Sequence, residues 1–350
     1  MFLSLFNTRG ASSANEPLLV HLPPFPSSDA IPQLPYFLED LPVASINYRW
    51  SPYSKLSSNA NGSFPLHWPT PVHDTSFAMA WLLKHLSPPG HSRRDIYVFG
   101  SYLGASLATS LALTEARPDA DFGVRGLLAY NGIYNWTMFL PDHPIHRTWG
   151  RFGPSLPPEL DNDSRLHKIS DNLPALFHKE SNLFDPFASP SLFFHCPGLE
   201  VPESFFMRAK YDALINNMMS DEEFKPETTK QKSLLVFPPH NSGLKIPETL
   251  IVYESAPPHS GVVQLSGKSG AKTKTGHSFE SQAVELATMM RRSVHLMELR
   301  KRINRSHGDD HWIEEAARRV QIVDTGPATG GIEPLEAGRD IILSWLENKY

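Results

Sequence analysis

A short apolar run that leads into two closely spaced glycines constrains the fold of this chain more than any other feature. The run reads Tyr97-Val-Phe-Gly-Ser-Tyr-Leu-Gly-Ala105, so a predicted strand enters Gly100 and a helix opens at Gly104. A Cβ atom at either glycine would clash in so tight a turn. The segment therefore predicts a strand-turn-helix elbow with Tyr102 at its strained centre.

Apolar runs bounded by turn residues alternate with helical patterns through the first 135 residues, which is typical of a parallel β-α-β sheet. The predicted strands are Leu18 to Leu22, Val43 to Tyr48, Ile96 to Gly100 and Gly126 to Tyr130. Helices are predicted over His73 to Leu86, capped by Asp74, and over Leu103 to Glu115. The first helix has little polar face, so we expect it to be heavily buried.

From Phe139 to Lys245 the periodicity fades and proline becomes frequent, which predicts an irregular inserted lid or cap. Short helices are predicted within it, over Ser164 to Phe177 and over Ala209 to Met219. Its aromatic side chains would line a cavity or form a small core of the insertion itself. They include Trp149, Phe177, Phe184, Phe193 and Phe194.

Regular structure is predicted to resume after the insertion. The apolar centre of Glu248 to Glu254 indicates a buried strand, and helical spacing begins at Phe279 and continues to about Arg302. A last strand is predicted over Arg319 to Val323, followed by a closing helix over Ala337 to Asn348. These elements complete an α/β pattern with a mostly parallel sheet flanked by helices.

The composition is typical of a soluble globular protein. The 350 residues are 40% hydrophobic and 20% charged, with a net charge of −5 from mixed signs, which disfavours a nucleic-acid partner. A single cysteine, Cys196, excludes an internal disulfide. The first residues disfavour a secretory leader and no apolar run of about 20 residues occurs, so the sequence favours a cytoplasmic protein without a membrane span.

The elbow and its setting resemble those of the α/β-hydrolase fold. Gly100 and Gly104 match the glycines of the G-x-S-x-G motif, and Tyr102 stands at the nucleophilic serine position. The likeness extends over residues 15 to 348 as one domain, with 139 to 245 as its inserted lid. It is strongest to the esterase and lipase branch, especially an uncharacterised fungal type with the patterns Ile46-Asn-Tyr-Arg-Trp50 and Asn131-Gly-Ile-Tyr-Asn-Trp136.

The resemblance implies a catalytic triad that this chain completes poorly. Glu254 ends the strand after the insertion, where the family places its acid, but without a histidine partner a surface carboxylate at a strand end is the favoured interpretation. The segment after the last strand, Val320 to Gly331, contains no histidine to serve as the base. A hydroxyl needs such a base to attack a carbonyl near neutral pH.

The histidines elsewhere are weak substitutes for that base. His259 follows the Glu254 strand and is the one to test as a stray base, whereas His307 and His311 lie in a charged segment and favour solvent. His73 is expected to belong to a helix start. No spacing of ligands favours a metal site, and no cofactor is expected.

The oxyanion hole implied by the family is also incomplete. The strand matching its first donor continues as His21-Leu-Pro-Pro-Phe-Pro26, and proline has no amide hydrogen to donate. The second donor would be the amide of Leu103, which follows Tyr102. Leu103 and Ser101, on either side of Tyr102, are therefore the candidate ligand-binding residues.

Three functions follow from this pattern. The first is a non-hydrolytic protein that keeps the fold to bind a small apolar molecule or a protein partner. The second is a non-hydrolytic enzyme in which Tyr102 acts as a general acid or hydrogen-bond donor. The third is an atypical esterase that uses Ser101 or another serine in a shifted register, although Ser101 would point away from the pocket of a regular elbow.

Overall fold

The computed structural model describes residues 2–8, 16–26, 34–50, 66–90, 92–146, 164–202, 205, 235–255, 277–299, 310–328 and 330–349. Within them, seven strands form one sheet in the order β1-β3-β2-β4-β5-β6-β7. The strands are β1 Phe2–Phe6, β2 Leu18–Leu22, β3 Val43–Asn47, β4 Arg94–Ser101, β5 Phe122–Tyr130, β6 Glu248–Ser255 and β7 Val320–Pro327. All neighbours pair in parallel except β1, which runs antiparallel to β3.

Seven α-helices occur along the described chain, before and after the elbow. They are α1 Thr70–His85, α2 Leu103–Glu115, α3 Ser164–Asp171, α4 Leu173–Phe177, α5 Phe279–Ser293, α6 Asp310–Arg319 and α7 Glu336–Glu347. A π-helical turn, Val294–Leu299, extends α5. The predicted class, a mostly parallel α/β sheet flanked by helices, is confirmed. None of the described helices is long and apolar enough to cross a membrane.

Six of the seven strands were predicted from their apolar runs, and five of these are largely buried, whereas β7 is buried only at Val320. Strands β2 and β3 are buried at every residue, and β4 and β5 at almost every residue, as expected for the interior of a parallel sheet. Strand β1 was not predicted, since five partly exposed residues carry too weak a pattern. Only its antiparallel pairing with β3 makes it a strand, at the edge of the sheet.

The expectation of a capped and heavily buried α1 is wrong. The helix begins at Thr70, so Asp74 lies inside it, where its carboxylate accepts hydrogen bonds from the backbone and guanidinium of Arg49. Phe77 is 68% exposed and Trp81 41% exposed. The helix instead buries the opposite face, which carries Ala78, Met79 and Leu82.

The described parts of the 139–245 segment consist of short helical elements, and the helices predicted between Ser164 and Phe177 are present as α3 and α4. The helix predicted over Ala209 to Met219 and the side chain of Trp149 lie outside the described residues. Phe177 neither lines a cavity nor belongs to a separate small core. It is fully buried against three tryptophans from outside the segment, Trp50, Trp68 and Trp136.

Backbone hydrogen bonds reinforce this aromatic cluster. The carbonyl of Leu176 accepts one bond from the Trp50 indole at 2.8 Å and another from the Trp68 amide at 2.8 Å. The Trp68 indole donates to Asp185 at 2.9 Å. Phe177 of the 139–245 segment therefore packs in the core of the sheet, whereas Phe193 and Phe194 pack against Phe237 of the same segment.

The loop after β5 is fastened to α5 by one buried amide. The Gln282 Oε1 atom accepts the backbone N–H groups of Tyr134 and Asn135, each at 2.8 Å, and its Nε2 donates to the Asn135 carbonyl. These bonds satisfy backbone groups that no strand pairs with. They also fix the loop that begins at Asn131, a residue of the site described below.

Candidate functional site

The elbow predicted from the sequence is present and tightly packed. Strand β4 ends at Ser101, α2 begins at Leu103, and Tyr102 between them adopts φ 48° and ψ −113°, a conformation that costs a non-glycine residue free energy. A Cβ atom on Gly100 would lie 2.4 Å from the Gly104 carbonyl oxygen. One on Gly104 would lie 2.3 Å from the carbonyl oxygens of both Leu22 and Pro23. Both glycines are therefore sterically required.

The Tyr102 side chain is fully buried and its hydroxyl is engaged. The phenol oxygen accepts from Arg165 Nη1 at 2.9 Å and from Asn131 Nδ2 at 3.4 Å. It donates to the Gly331 carbonyl at 3.2 Å. Burial raises the pKa of the Tyr102 phenol, and the Arg165 guanidinium opposes part of that rise. Tyr102 is consequently a neutral phenol at physiological pH.

Glu254 is buried beside this hydroxyl, so its interpretation as a surface carboxylate is wrong. It lies near the end of β6, and its Oε2 atom accepts a hydrogen bond from Arg165 Nη1 at 2.7 Å, which forms an ion pair. Its Oε1 atom accepts a hydrogen bond from the Tyr130 hydroxyl at 2.5 Å, and burial, together with this bond, raises the pKa of Tyr130. Asn131 donates to Oε2 at 3.4 Å and accepts the Glu254 backbone N–H at 2.9 Å.

Arg165 joins the two predicted positions. Its Nη1 atom lies within hydrogen-bonding distance of Glu254, Tyr102 and the Gly331 carbonyl, the last at 3.1 Å. Its guanidinium carbon is 5.8 Å from the Tyr102 ring centroid and 5.3 Å from that of Phe279. We call this set of acceptors around Nη1, namely Glu254 Oε2, Tyr102 Oη and Gly331 O, the oxygen cage.

Sequence reasoning did not find Arg165, Tyr130 or Asn131 as site residues. Arg165 is one of several polar residues of α3, in a segment with weak periodicity, and no local signal separates it from a solvated arginine. Asn131 stands immediately after β5 and has a positive φ of 45°. That conformation is frequent for asparagine, but the sequence does not reveal it.

The loop after β7 supplies a backbone carbonyl, Gly331 O, where the family resemblance implies a histidine. Within the described residues, the hydrogen-bond partners of Tyr102 Oη are Asn131, Arg165 and Gly331. His259, His307 and the side chain of His311 lie outside what the structure describes, and His73 is exposed on α1. The prediction that His73 belongs to the start of that helix is confirmed.

The predicted oxyanion donor is already used within the protein. The Leu103 amide donates to the Pro24 carbonyl at 3.2 Å, so it does not face a free ligand position. The neighbouring Pro23 carbonyl accepts the Tyr48 hydroxyl at 2.9 Å. The proline-rich loop after β2 therefore closes over the elbow. Ser101 is the last residue of β4, paired with Tyr130 and 5% exposed.

A surface depression of about 700 Å³ adjoins the site on its solvent side. Its lining runs from Gly330 to Glu336 and includes Arg339. Gly331 contributes to both the depression and the oxygen cage, whereas neither Tyr102 nor Glu254 lines the depression. In the described part of the chain, no group of three or more His, Cys, Asp or Glu side chains is arranged to hold a metal ion.

Burial of His21 predicts a loss of stability in acid. Its imidazole is completely buried in β2, 3.0 Å from the Ser45 hydroxyl and stacked on Phe99, and burial lowers the pKa of His21 from 6.5 to about 3. The unfolded chain protonates first, so from pH 6.5 down to about 3 His21 lowers the free energy of unfolding by up to about 1.4 kcal/mol per pH unit.

We expect His21→Gln to reduce this acid sensitivity, measured as the change in urea midpoint between neutral pH and about pH 4. The urea midpoints of the two proteins at neutral pH show any effect of the substitution that does not depend on pH. Parallel losses of stability in the two proteins would contradict the assignment.

The sheet topology, the strained elbow and the flanking helices define an α/β-hydrolase fold. Similar solved structures include a hormone-sensitive lipase from a metagenome library, at 14% identity and a TM-score of 0.46, covering 99% of this chain and 81% of that one. Carboxyl esterase 2 from the fungus Tuber melanosporum has 12% identity and a TM-score of 0.45, and the alignment covers 95% of this chain and 76% of the esterase. A hyperthermophilic esterase from the archaeon Pyrobaculum calidifontis has 13% identity and a TM-score of 0.42, and the alignment covers 96% of this chain and 74% of the esterase. No protein-family model matches the sequence, nor does any curated protein sequence.

Proposed function

We propose that this chain is a non-hydrolytic protein of α/β-hydrolase fold, which binds a small molecule or a protein partner. The observation that carries the proposal is the ion pair of Arg165 with Glu254, the acid position of a triad, which sets a guanidinium rather than an imidazole against the Tyr102 hydroxyl. An arginine stays protonated at any physiological pH and has no lone pair to accept a proton. The hydroxyl beside it therefore has no base to activate it.

Two further observations support the same proposal. Tyr102 is completely buried, and its pKa is raised rather than lowered, so it is neither accessible nor ionised. The Leu103 amide that would stabilise an oxyanion is bonded to Pro24. A hydrolase needs both an activated nucleophile and a donor aimed at the developing negative charge.

Ester hydrolysis and covalent labelling test the proposal. We expect the wild-type protein neither to hydrolyse short-chain p-nitrophenyl esters nor to react with a fluorophosphonate probe. Tyr102→Ser should remain inactive as well, because loss of the base alone costs a serine hydrolase roughly a million-fold in rate. A working serine esterase, assayed in parallel, verifies both measurements.

Three results would contradict the proposal in different ways. Wild-type turnover that disappears in Ser101→Ala would identify the protein as a shifted-register esterase. Activity gained by Tyr102→Ser alone would identify a base that reaches the elbow, for which His259→Ala in the same background is the direct check. Wild-type turnover that disappears in Tyr102→Phe would instead support Tyr102 as a general acid.

A further inference from the structure

The oxygen cage has the composition of a cation receptor. A carboxylate, a phenol oxygen and a backbone carbonyl converge on one nitrogen, Arg165 Nη1, at 2.7, 2.9 and 3.1 Å. The faces of two aromatic rings, Tyr102 and Phe279, lie beside the same positive charge. Such a set of acceptors recognises an N–H-bearing cation and rejects anions.

The cage cannot remain empty at low cost. The Glu254 side chain is 1% exposed, and a buried carboxylate without a counter-ion is strongly unfavourable. Tyr130 and Asn131 donate hydrogen bonds to it but bring no positive charge. Departure of Arg165 must therefore be coupled to the arrival of another cation.

The cage is also close to solvent. Gly331, whose carbonyl completes it, lines the surface depression formed by residues 330–336. That depression carries two carboxylates and one guanidinium: Arg339 pairs with Glu333 at 3.6 Å, which leaves the Glu336 carboxylate in excess. An approaching organic cation meets an excess of negative charge there, which raises its local concentration.

We infer that the oxygen cage is a binding site for a primary ammonium or guanidinium group, and that Arg165 is its tethered internal ligand. An external ligand of this class competes with Arg165 for the three oxygens of the cage. The inference rests on the proposed function, since it specifies the ligand class of a binding protein. In this interpretation the elbow of the fold recognises a positive charge.

Substitution of the internal ligand tests the inference. Arg165→Ala vacates the cage, and we expect methylguanidinium or methylammonium to raise its melting temperature saturably, by about 5 °C or more at high occupancy. Tetramethylammonium, which has no N–H, and urea, which has no charge, should have no such effect at equal ionic strength. The wild type should respond weakly, because its cage is occupied.

Arg165→Ala/Glu254→Gln is the matched control, since it lacks both the internal ligand and the charge that attracts an external one. It should fold without added cation and show no response to methylguanidinium. An equal response in this control, or none in Arg165→Ala, would overturn the inference.

A second variant keeps the test informative if Arg165→Ala does not fold. Arg165→Lys offers an ammonium with three N–H groups to the three cage oxygens, so it should retain most of the wild-type melting temperature. Arg165→Met is the comparison, since it fills similar space without charge. A lysine variant as unstable as the methionine variant would overturn the inference. Ester hydrolysis is assayed on every variant, so activity would contradict the proposed function and leave the cation result to be judged separately.

Discussion

Gly104→Ala is expected to destabilise the protein by about 3 kcal/mol, and Gly104→Val by more, which would leave little folded protein. The first atom of any side chain at this position would lie 2.3 Å from two carbonyl oxygens, those of Leu22 and Pro23. Neither oxygen can retreat easily, because the Leu22 backbone belongs to β2 and Pro23 accepts the Tyr48 hydroxyl. The strain must therefore fall on the elbow itself.

Gly338→Ala is the matched control for this prediction. Gly338 lies inside α7, and a Cβ atom there would meet Pro334 and Thr325 at 3.4 Å, an ordinary contact. Since alanine has the higher helix propensity, this change should be neutral or stabilising by up to about 1 kcal/mol. Urea unfolding of the purified variants measures both effects. An unchanged midpoint in Gly104→Ala would refute the tight packing of the elbow.

Breaking the ion pair of Arg165 and Glu254 is the second large effect. Arg165→Met and Glu254→Gln should each cost about 3–5 kcal/mol, because each leaves the opposite charge buried without a partner. The Arg165 and Glu254 side chains are 9% and 1% exposed, so solvent screens the remaining charge poorly. The double variant should recover much of the loss, since it buries no charge at all.

The surface pair of Arg318 and Glu315 is the control for this double-mutant cycle. The Arg318 side chain is 67% exposed, so Arg318→Met should cost less than about 1 kcal/mol. The coupling free energy of the buried pair, obtained from denaturant unfolding of the four proteins, should exceed that of the surface pair several-fold. Simple additivity of the two buried substitutions would show that the residues do not interact.

The sequence predicts the structural basis of the first of these two effects but not that of the second. The requirement for Gly104 follows from local chain geometry, since a strand, a tight turn and a helix occur within a few residues. The sequence therefore predicts the elbow and places Tyr102 in it. The ion pair joins residues separated by 89 positions, and no spacing or periodicity in the chain relates them.

The orientation of α1 shows a similar limit. The sequence predicts its existence from apolar spacing, but Phe77 and Trp81 are exposed while the smaller Ala78 is buried. Which face is buried depends on tertiary contacts such as the bonds between Arg49 and Asp74. Hydrophobicity alone does not rank two apolar faces of one helix.

By itself the sequence determined the parallel sheet, the flanking helices, the elbow and the absence of a histidine after the last strand. These are local properties, set by side-chain period, by the conformational range of glycine and by residue identity. Only the tertiary structure decided that Glu254 is buried, that Arg165 pairs with it, and that the Leu103 amide is bonded to Pro24. Each of these depends on contacts between distant segments, whose free energy exists only once the sheet has brought the segments together.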